Sequence, residues 1–328
     1  MSAPELIGVG SPLVDLVLEV EDDFLSSHVS GAKGGMEMVS HEDIAALIET
    51  SKSQPVQAAG GAASNTVTGC ASLGIDCAFI GSIGDDAYGA YYREALAGHG
   101  CGDRLVHHPE HPTGHVLSMV TPDAERTMRT FLGAAADLAT ENFTAEQFAD
   151  AKVVMLEGYS LYNHNLTWAV AHAAEAAGCE LACDLASFEV VEHNKPVIEE
   201  LLDKHVDIVF VNQDEARALC GDVHAAIDYL AERCKVACVK LGKEGAWVAS
   251  GKERHHVPAL VVEDAIDTTG AGDSWAAGFL AGYLRGLPLD RCAHLGAMAG
   301  AAVVQVMGAQ VPAEGWIKIR GYLEAWVD

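Results

Sequence analysis

The stretch Asp267-Thr-Thr-Gly-Ala-Gly-Asp273 has the residue types of a reaction site. Gly270, Ala271 and Gly272 leave their backbone amides uncovered just ahead of an apolar run with helical spacing, 274–284. A helix N-terminus carries unpaired N–H groups and a partial positive charge, so it draws an anion. Asp273 lies at the mouth of the same turn. A carboxylate beside an anion hole suits a general base. It takes the proton of a hydroxyl while the hole holds the group being transferred. Alone, the turn reads as well as an ordinary capped helix start.

Two other stretches carry chemistry. In Ala59-Gly60-Gly61-Ala-Ala-Ser-Asn65, a pair of glycines precedes a helix reaching about Leu73. Adjacent glycines let backbone approach a ligand, and the Asn65 amide both donates and accepts. Asp15 interrupts the apolar strand LVDLVLEV, 13–20, as a buried, partnered carboxylate would.

These residues need elements to position them. ELIGVG, 5–10, is a strand ending in glycine, and 41–50 is a helix with Ser40 as its N-cap. CAFIGSIGDDAYG, 77–89, is a strand, a loop and a helix start. From Lys152 onward strands alternate with helices, closing on a hairpin around Gly251. This order predicts an α/β fold with a mostly parallel sheet covered on both faces. Ligands in such sheets bind at the carboxyl ends of the strands, where Gly10, Asp184, Asn212 and Gly242 fall. Residues 102–133 differ, with short strands between Pro and Gly turns, and are expected to form an antiparallel β lid. The histidines there, His107, His108, His111 and His115, follow no metal spacing, so no metal site is expected among them. No repeat or long linker divides the chain. The expectation is one domain over 1–328, with parts of about 11–40 and 102–133 forming the lid.

Composition narrows the partners. A formal net charge of −27 argues against nucleic acid. No apolar run reaches the roughly 18 residues of a membrane span, and MSAPELIGVGSPLVD shows no basic region or cleavage pattern. The nine cysteines match no zinc pattern and read as reduced, buried thiols of a cytoplasmic protein.

With DTTGAGD late, GGAASN early and VNQDE between them, the sequence resembles the ribokinase-like, or PfkB-type, carbohydrate kinase family over nearly its whole length. The resemblance implies a three-layer α/β sandwich with a small β lid, and phosphoryl transfer from ATP with Mg²⁺ to a primary alcohol. It makes Asp273 the base and the amides of Gly270, Ala271 and Gly272 the anion hole. It assigns Asn212 and Glu215 to the NxxE motif, with Glu215 holding Mg²⁺ through water. Lys240, Gly242 and Gly245 fall in the family's nucleotide-side loop. Asp267 and Thr269 match the region where relatives bind a monovalent cation such as K⁺. The chain has no GxxxxGK[ST] phosphate loop, and neither does the family.

Within the family, GSPLVD, GGAASN and RTMRTFLGAA look most like adenosine kinases and their bacterial relatives. This implies a sugar grip of Ser11, Asp15, Gly60, Gly61 and Asn65, although adenosine kinases typically have Asn where Ser11 stands. Arg126 reads either as a phosphate-reaching residue or as a solvent-facing lid arginine. Phe188 reads either as a purine stacker or as core. The acceptor implied is a nucleoside, adenosine first, with a ribose, fructose or related sugar as the alternative and a non-catalytic ligand binder as a second one. Monomer and homodimer both stay open.

Overall fold

The computed structural model describes residues 3–327 apart from Ala124. Short apolar runs from distant parts of the chain line up as a nine-stranded sheet. From one edge the strands are Gly102–Asp103, Cys77–Ile80, Leu6–Val9, Val153–Glu157, Glu180–Asp184, Val206–Asn212 and Val236–Lys240, all parallel. The antiparallel strands Ala246–Ser250 and Glu253–Val257 close the other edge. Alternate residues serve opposite cores. Leu6, Val153 and Met155 pack on one side, and Ile7, Val154 and Leu156 on the other. That two-sided burial is why these strands read as unbroken apolar runs.

Helices cover both faces. Ala62–Ser72, Ala271–Leu284, Leu289–Val303 and Ala313–Val327 contribute to the first core. His164–Ala177, Phe188–Lys204, Gln213–Cys220 and Val223–Ala231 contribute to the second. Ser40 caps His41–Ser51 through a reciprocal capping box with Asp43, as expected. All nine cysteines are free, and all but Cys220 are buried. No helix among the described residues is long and apolar enough to cross a membrane.

A second sheet of five strands stands off the first, in the order Met36–Met38, Arg126–Phe131, Gly114–Val120, Leu13–Glu19 and Val56–Gly60. Its make-up differs from the expected antiparallel lid in three ways. Two of its four pairings, Met36–Met38 with Arg126–Phe131 and Leu13–Glu19 with Gly114–Val120, are parallel. Val56–Gly60, outside the expected segments, forms an edge strand by pairing with Leu13–Glu19. Residues 102–108 stay with the rest of the molecule instead, because Gly102–Asp103 extends the large sheet and Val106–His108 pairs with Ser82–Gly84. The chain passes between the sheets at Gly10-Ser11-Pro12 and again at Gly60-Gly61.

The helix Ala271–Leu284 packs closely on Leu289–Val303. A Cβ at Gly278 would stand 2.4 Å from the Leu295 carbonyl oxygen, so backbone would have to move. Gly278→Ala should therefore destabilise the protein by about 1–3 kcal/mol in urea unfolding. Gly98→Ala, at a helix end with nothing within 4 Å, should be neutral or stabilising by up to about 1 kcal/mol. Equal effects of the two changes would count against this packing.

Candidate active site

Four adjacent strands of the large sheet end in Glu157, Asp184, Asn212 and Lys240, so parallel pairing alone gathers these side chains along one edge. Lys240 Nζ lies 2.6 Å from Asp184 Oδ2, with both side chains largely buried. Asn212 caps the following helix. Its Oδ1 accepts from the N–H groups of Asp214 (2.8 Å) and Glu215 (3.0 Å). In return Glu215 Oε2 accepts the Asn212 N–H at 2.9 Å, and its Oε1 meets the Asn212 side-chain amide. The NxxE spacing is thus a capping box, one that holds a buried carboxylate at the sheet edge. Burial, and then the charge of Asp184, push Glu215 up to about 8 against the pull of Lys240.

Asp273 meets this edge from the first turn of Ala271–Leu284. Asn65 Nδ2 donates to Asp273 Oδ2 at 2.9 Å, and Asp273 Oδ1 has no partner among the described residues. Gln310, unread in the sequence, orients Asn65. Its Nε2 donates to Ala59 O at 3.0 Å and reaches Asn65 Oδ1 at 3.5 Å. Burial raises Asp273 to about 7, Asp184 adds to the rise, and Asn65 and Lys240 restrain it. Gly270 turns the chain in the left-handed region, φ +71°, where a Cβ would collide with Ala309. The expected set of free amides needs one correction. Ala271 N–H donates to Thr268 O at 3.1 Å to close the turn, whereas the N–H groups of Gly270, Gly272 and Asp273 have no acceptor among the described residues. Lys240 Nζ lies 3.0 Å from where a Gly272 Cβ would stand, which sets a positive charge beside those amides.

Asp15 lies on the small sheet, half-buried and without a hydrogen-bond partner among the described residues. The partnered carboxylate expected from sequence is not found. Burial raises Asp15 to about 6, and Arg126 lowers it in part. A Cβ at Gly60 would stand 2.5 Å from Asp15 Oδ2, and Gly61 has φ +100°, so the double glycine admits the acid and makes the turn. Strand register puts Ala58, Asp15, Val116, Thr130 and Met38 in one row, with Val56, Val17, Ser118, Met128 and Met36 in a row on the same face. Val56, on the edge strand beside the acid, is 71% exposed, whereas Val116, Ser118 and Thr130 on this face are buried and the half-exposed Met36 and Met38 lie on the far edge strand. Ser11 takes part through its backbone, its N–H donating to Glu157 Oε1 at 2.8 Å, while Ala63 N–H donates to Glu157 Oε2 at 3.3 Å. One buried acid that the sequence did not single out therefore ties these two crossings between the sheets.

The remaining expected residues divide. Asp267 and Thr269 sit together ahead of Gly270, and Arg126 is bound to Asp267 rather than facing solvent. Gly242 and Gly245 form the turn between Val236–Lys240 and Ala246–Ser250. Beyond that turn a cavity of about 420 Å³ is lined by Arg217, His224, Leu241, Trp247 and His256, and none of the residues around Asp273 lines it. Phe188 begins the helix after Asp184 and is 46% exposed, so the core reading fails. At the surface His108, His111 and Asp137 do gather, with ligand atoms within 4.8 Å. His108 Nδ1, however, accepts the N–H groups of Glu110 and His111, so the neutral ring keeps its proton on the outward nitrogen.

The pfkB family carbohydrate kinase profile matches residues 41–315. The chain belongs to this family. It is a kinase with the ribokinase-like α/β fold. Among solved structures, adenosine kinase from Sinorhizobium meliloti is 35% identical, with 98% of this chain and 100% of that one covered and a TM-score of 0.88. A probable sugar kinase from Rhizobium etli is 31% identical at the same coverage and TM-score. A ribokinase from Arabidopsis thaliana is 28% identical over 94% of this chain and 78% of its own.

The buried acids give this kinase a pH signature. Unfolded, Asp and Glu ionise near 4, whereas folded Asp273 and Glu215 hold protons to about 7 and about 8. Between those values the native state binds more protons than the unfolded one. Their contribution to stability is therefore full below about pH 4 and is lost as pH rises to about 8. The melting temperature of the ligand-free protein should fall from pH 5 to 8, less steeply in Asp273→Asn and Glu215→Gln. Thermal scans across that range check it, and slopes unchanged in both variants would show that neither acid holds its proton.

Proposed function

We propose that the chain moves the γ-phosphate of ATP to the primary hydroxyl of a nucleoside, adenosine first. The carrying observation is the small-sheet face, where the unpartnered Asp15 lies between apolar Ala58 and Val116 and near the exposed Val56 of the edge strand. A carboxylate that accepts from a sugar diol, next to open apolar surface, suits a ligand with a polar sugar and a flat apolar base. A free sugar needs only the first half. The name of the Sinorhizobium meliloti relative agrees with the nucleoside reading, and that of the Rhizobium etli relative with the sugar alternative.

In this reading the small sheet is a lid, and the acceptor lies between it and Asp273. The free Oδ1 of Asp273 takes the hydroxyl proton as the acceptor oxygen attacks the γ-phosphorus and the bond to the leaving ADP oxygen breaks. Asn65, set by Gln310, keeps the other carboxylate oxygen in place. The free amides of Gly272 and Asp273, with Lys240 alongside, hold negative charge on the phosphoryl oxygens. Gly242 and Gly245 shape the nucleotide-side turn, and Phe188 offers an exposed ring for stacking. Asp184, Glu215 and Asp273 are buried around one lysine, more acids than that cation can pair, so a divalent ion that prefers hard oxygen donors and would displace their protons, such as Mg²⁺, fits them. Asp184, and Glu215 through water, would hold the ion, whose chemistry is to neutralise charge on the phosphates of ATP.

Asp273→Asn should preserve the fold and lower kcat by roughly 100-fold or more. Among adenosine, 2′-deoxyadenosine, ribose and fructose, adenosine should have the highest kcat/KM. Loss of the 2′-hydroxyl should cost about 2–4 kcal/mol, and Asp15→Ala should erase most of that difference. A free sugar that outperforms every nucleoside by about tenfold or more (about 1.4 kcal/mol) would transfer the assignment to sugar kinase.

A further inference from the structure

Asp267 opens the loop that ends in the free amides, at the position where the family resemblance implies a monovalent cation. A cation ligand must present a lone pair, and a carboxylate has about four such sites. All four are taken here. Oδ1 accepts from Thr269 N–H at 3.0 Å and from the Thr269 hydroxyl at 2.7 Å. Oδ2 accepts from Gly308 N–H at 2.7 Å and from Arg126 Nη2 at 2.6 Å. The two side chains of the ion pair are only 14% and 9% exposed, so water does little to screen it. A K⁺ ion coordinated by Asp267 would have to displace a donor and stand against a guanidinium. The residues present do not fit K⁺.

We propose that the Arg126 guanidinium takes the place of the monovalent cation, so that the loop holding the anion hole is set by a charge built into the chain and the kinase needs no K⁺. The guanidinium is always charged, and it reaches Asp267 from a strand of the small sheet 141 residues away. The donors that meet the other three lone pairs come from Thr269, in the loop itself, and from Gly308, beside the Ala309 that packs on Gly270. One carboxylate thereby fixes the start of the loop, the strand ahead of it in space and the turn behind it. Arg126 acts through Asp267 and is a positioning residue. It does not reach for phosphate while this pair stands.

The inference rests on the 267–273 loop being the anion hole, and its test separates the two readings. Phosphotransfer and melting temperature are measured with KCl replaced by tetramethylammonium chloride at constant ionic strength. For the wild-type chain both should change little, the rate by less than about twofold. In Arg126→Ala the rate should fall by about tenfold or more and recover with added K⁺ or millimolar guanidinium. The same salts should raise the melting temperature of the variant and not that of the wild type. If the alanine variant does not fold, Arg126→Gln replaces it, keeping a donor to Asp267 without the charge. Activation of the wild type by K⁺ would overturn the proposal, and so would a variant indifferent to both cations. A protein inactive in every salt would count against the proposed function, while the melting arm would still decide the role of Arg126.

Discussion

Carboxylates buried around a single lysine set the terms for the rest of this structure. Glu157, Asp184, Glu215 and Asp273 come together at one sheet edge, and Lys240 is the cation among them. An isolated buried charge is so costly that a group keeps its proton instead. Each acid therefore carries its own accommodation. Asp184 has the lysine, Glu215 has the Asn212 cap, Glu157 has the two backbone donors, and Asp273 has Asn65. The arrangement leaves the edge short of positive charge. That shortage is why the proposed function sets cations, and the phosphates they accompany, at this edge.

The two sheets are joined where this charge is held. Glu157 binds Ser11 on the way into the small sheet and Ala63 on the way out. Arg126 binds Asp267 across the gap from the other side. The small sheet shares a hydrophobic core with the rest of the molecule through Val14, Leu16, Leu117 and Met119, and two polar contacts add direction to that packing. Such contacts are directional, so they fix distance and orientation more sharply than apolar packing would.

Much of the large sheet was legible because strands buried on both faces read as apolar runs between glycines. The DTTGAGD turn and the double glycine were legible because their backbone geometry demands small residues. The small sheet was only partly so. Met36–Met38 and Val56–Gly60 are short edge strands that pair with distant segments, and the helix Asp22–His28 presents one buried residue, Leu25, to reveal its period. Glu157 and Gln310 belong to no motif, and only topology brings them to Asn65 and the sheet crossings. The donors that fill Asp267 come from 2, 41 and 141 residues away, a closure no local pattern announces.

The Asn65–Asp273 hydrogen bond spans 208 residues, and the helices that carry its partners pack together on the first core. Cys70 touches the Ala277 carbonyl across the same interface. During synthesis the N-terminal strands and helix 62–72 leave the ribosome long before helix 271–284 exists. Their apolar face waits uncovered for most of translation, and the Asn65–Asp273 bond is among the last contacts that can form. A chain released early by a premature stop would keep the strands and lose their cover. The cell would then hold an aggregation-prone sheet and no partly active enzyme, so the site's place in the fold makes finished synthesis a condition of both solubility and activity.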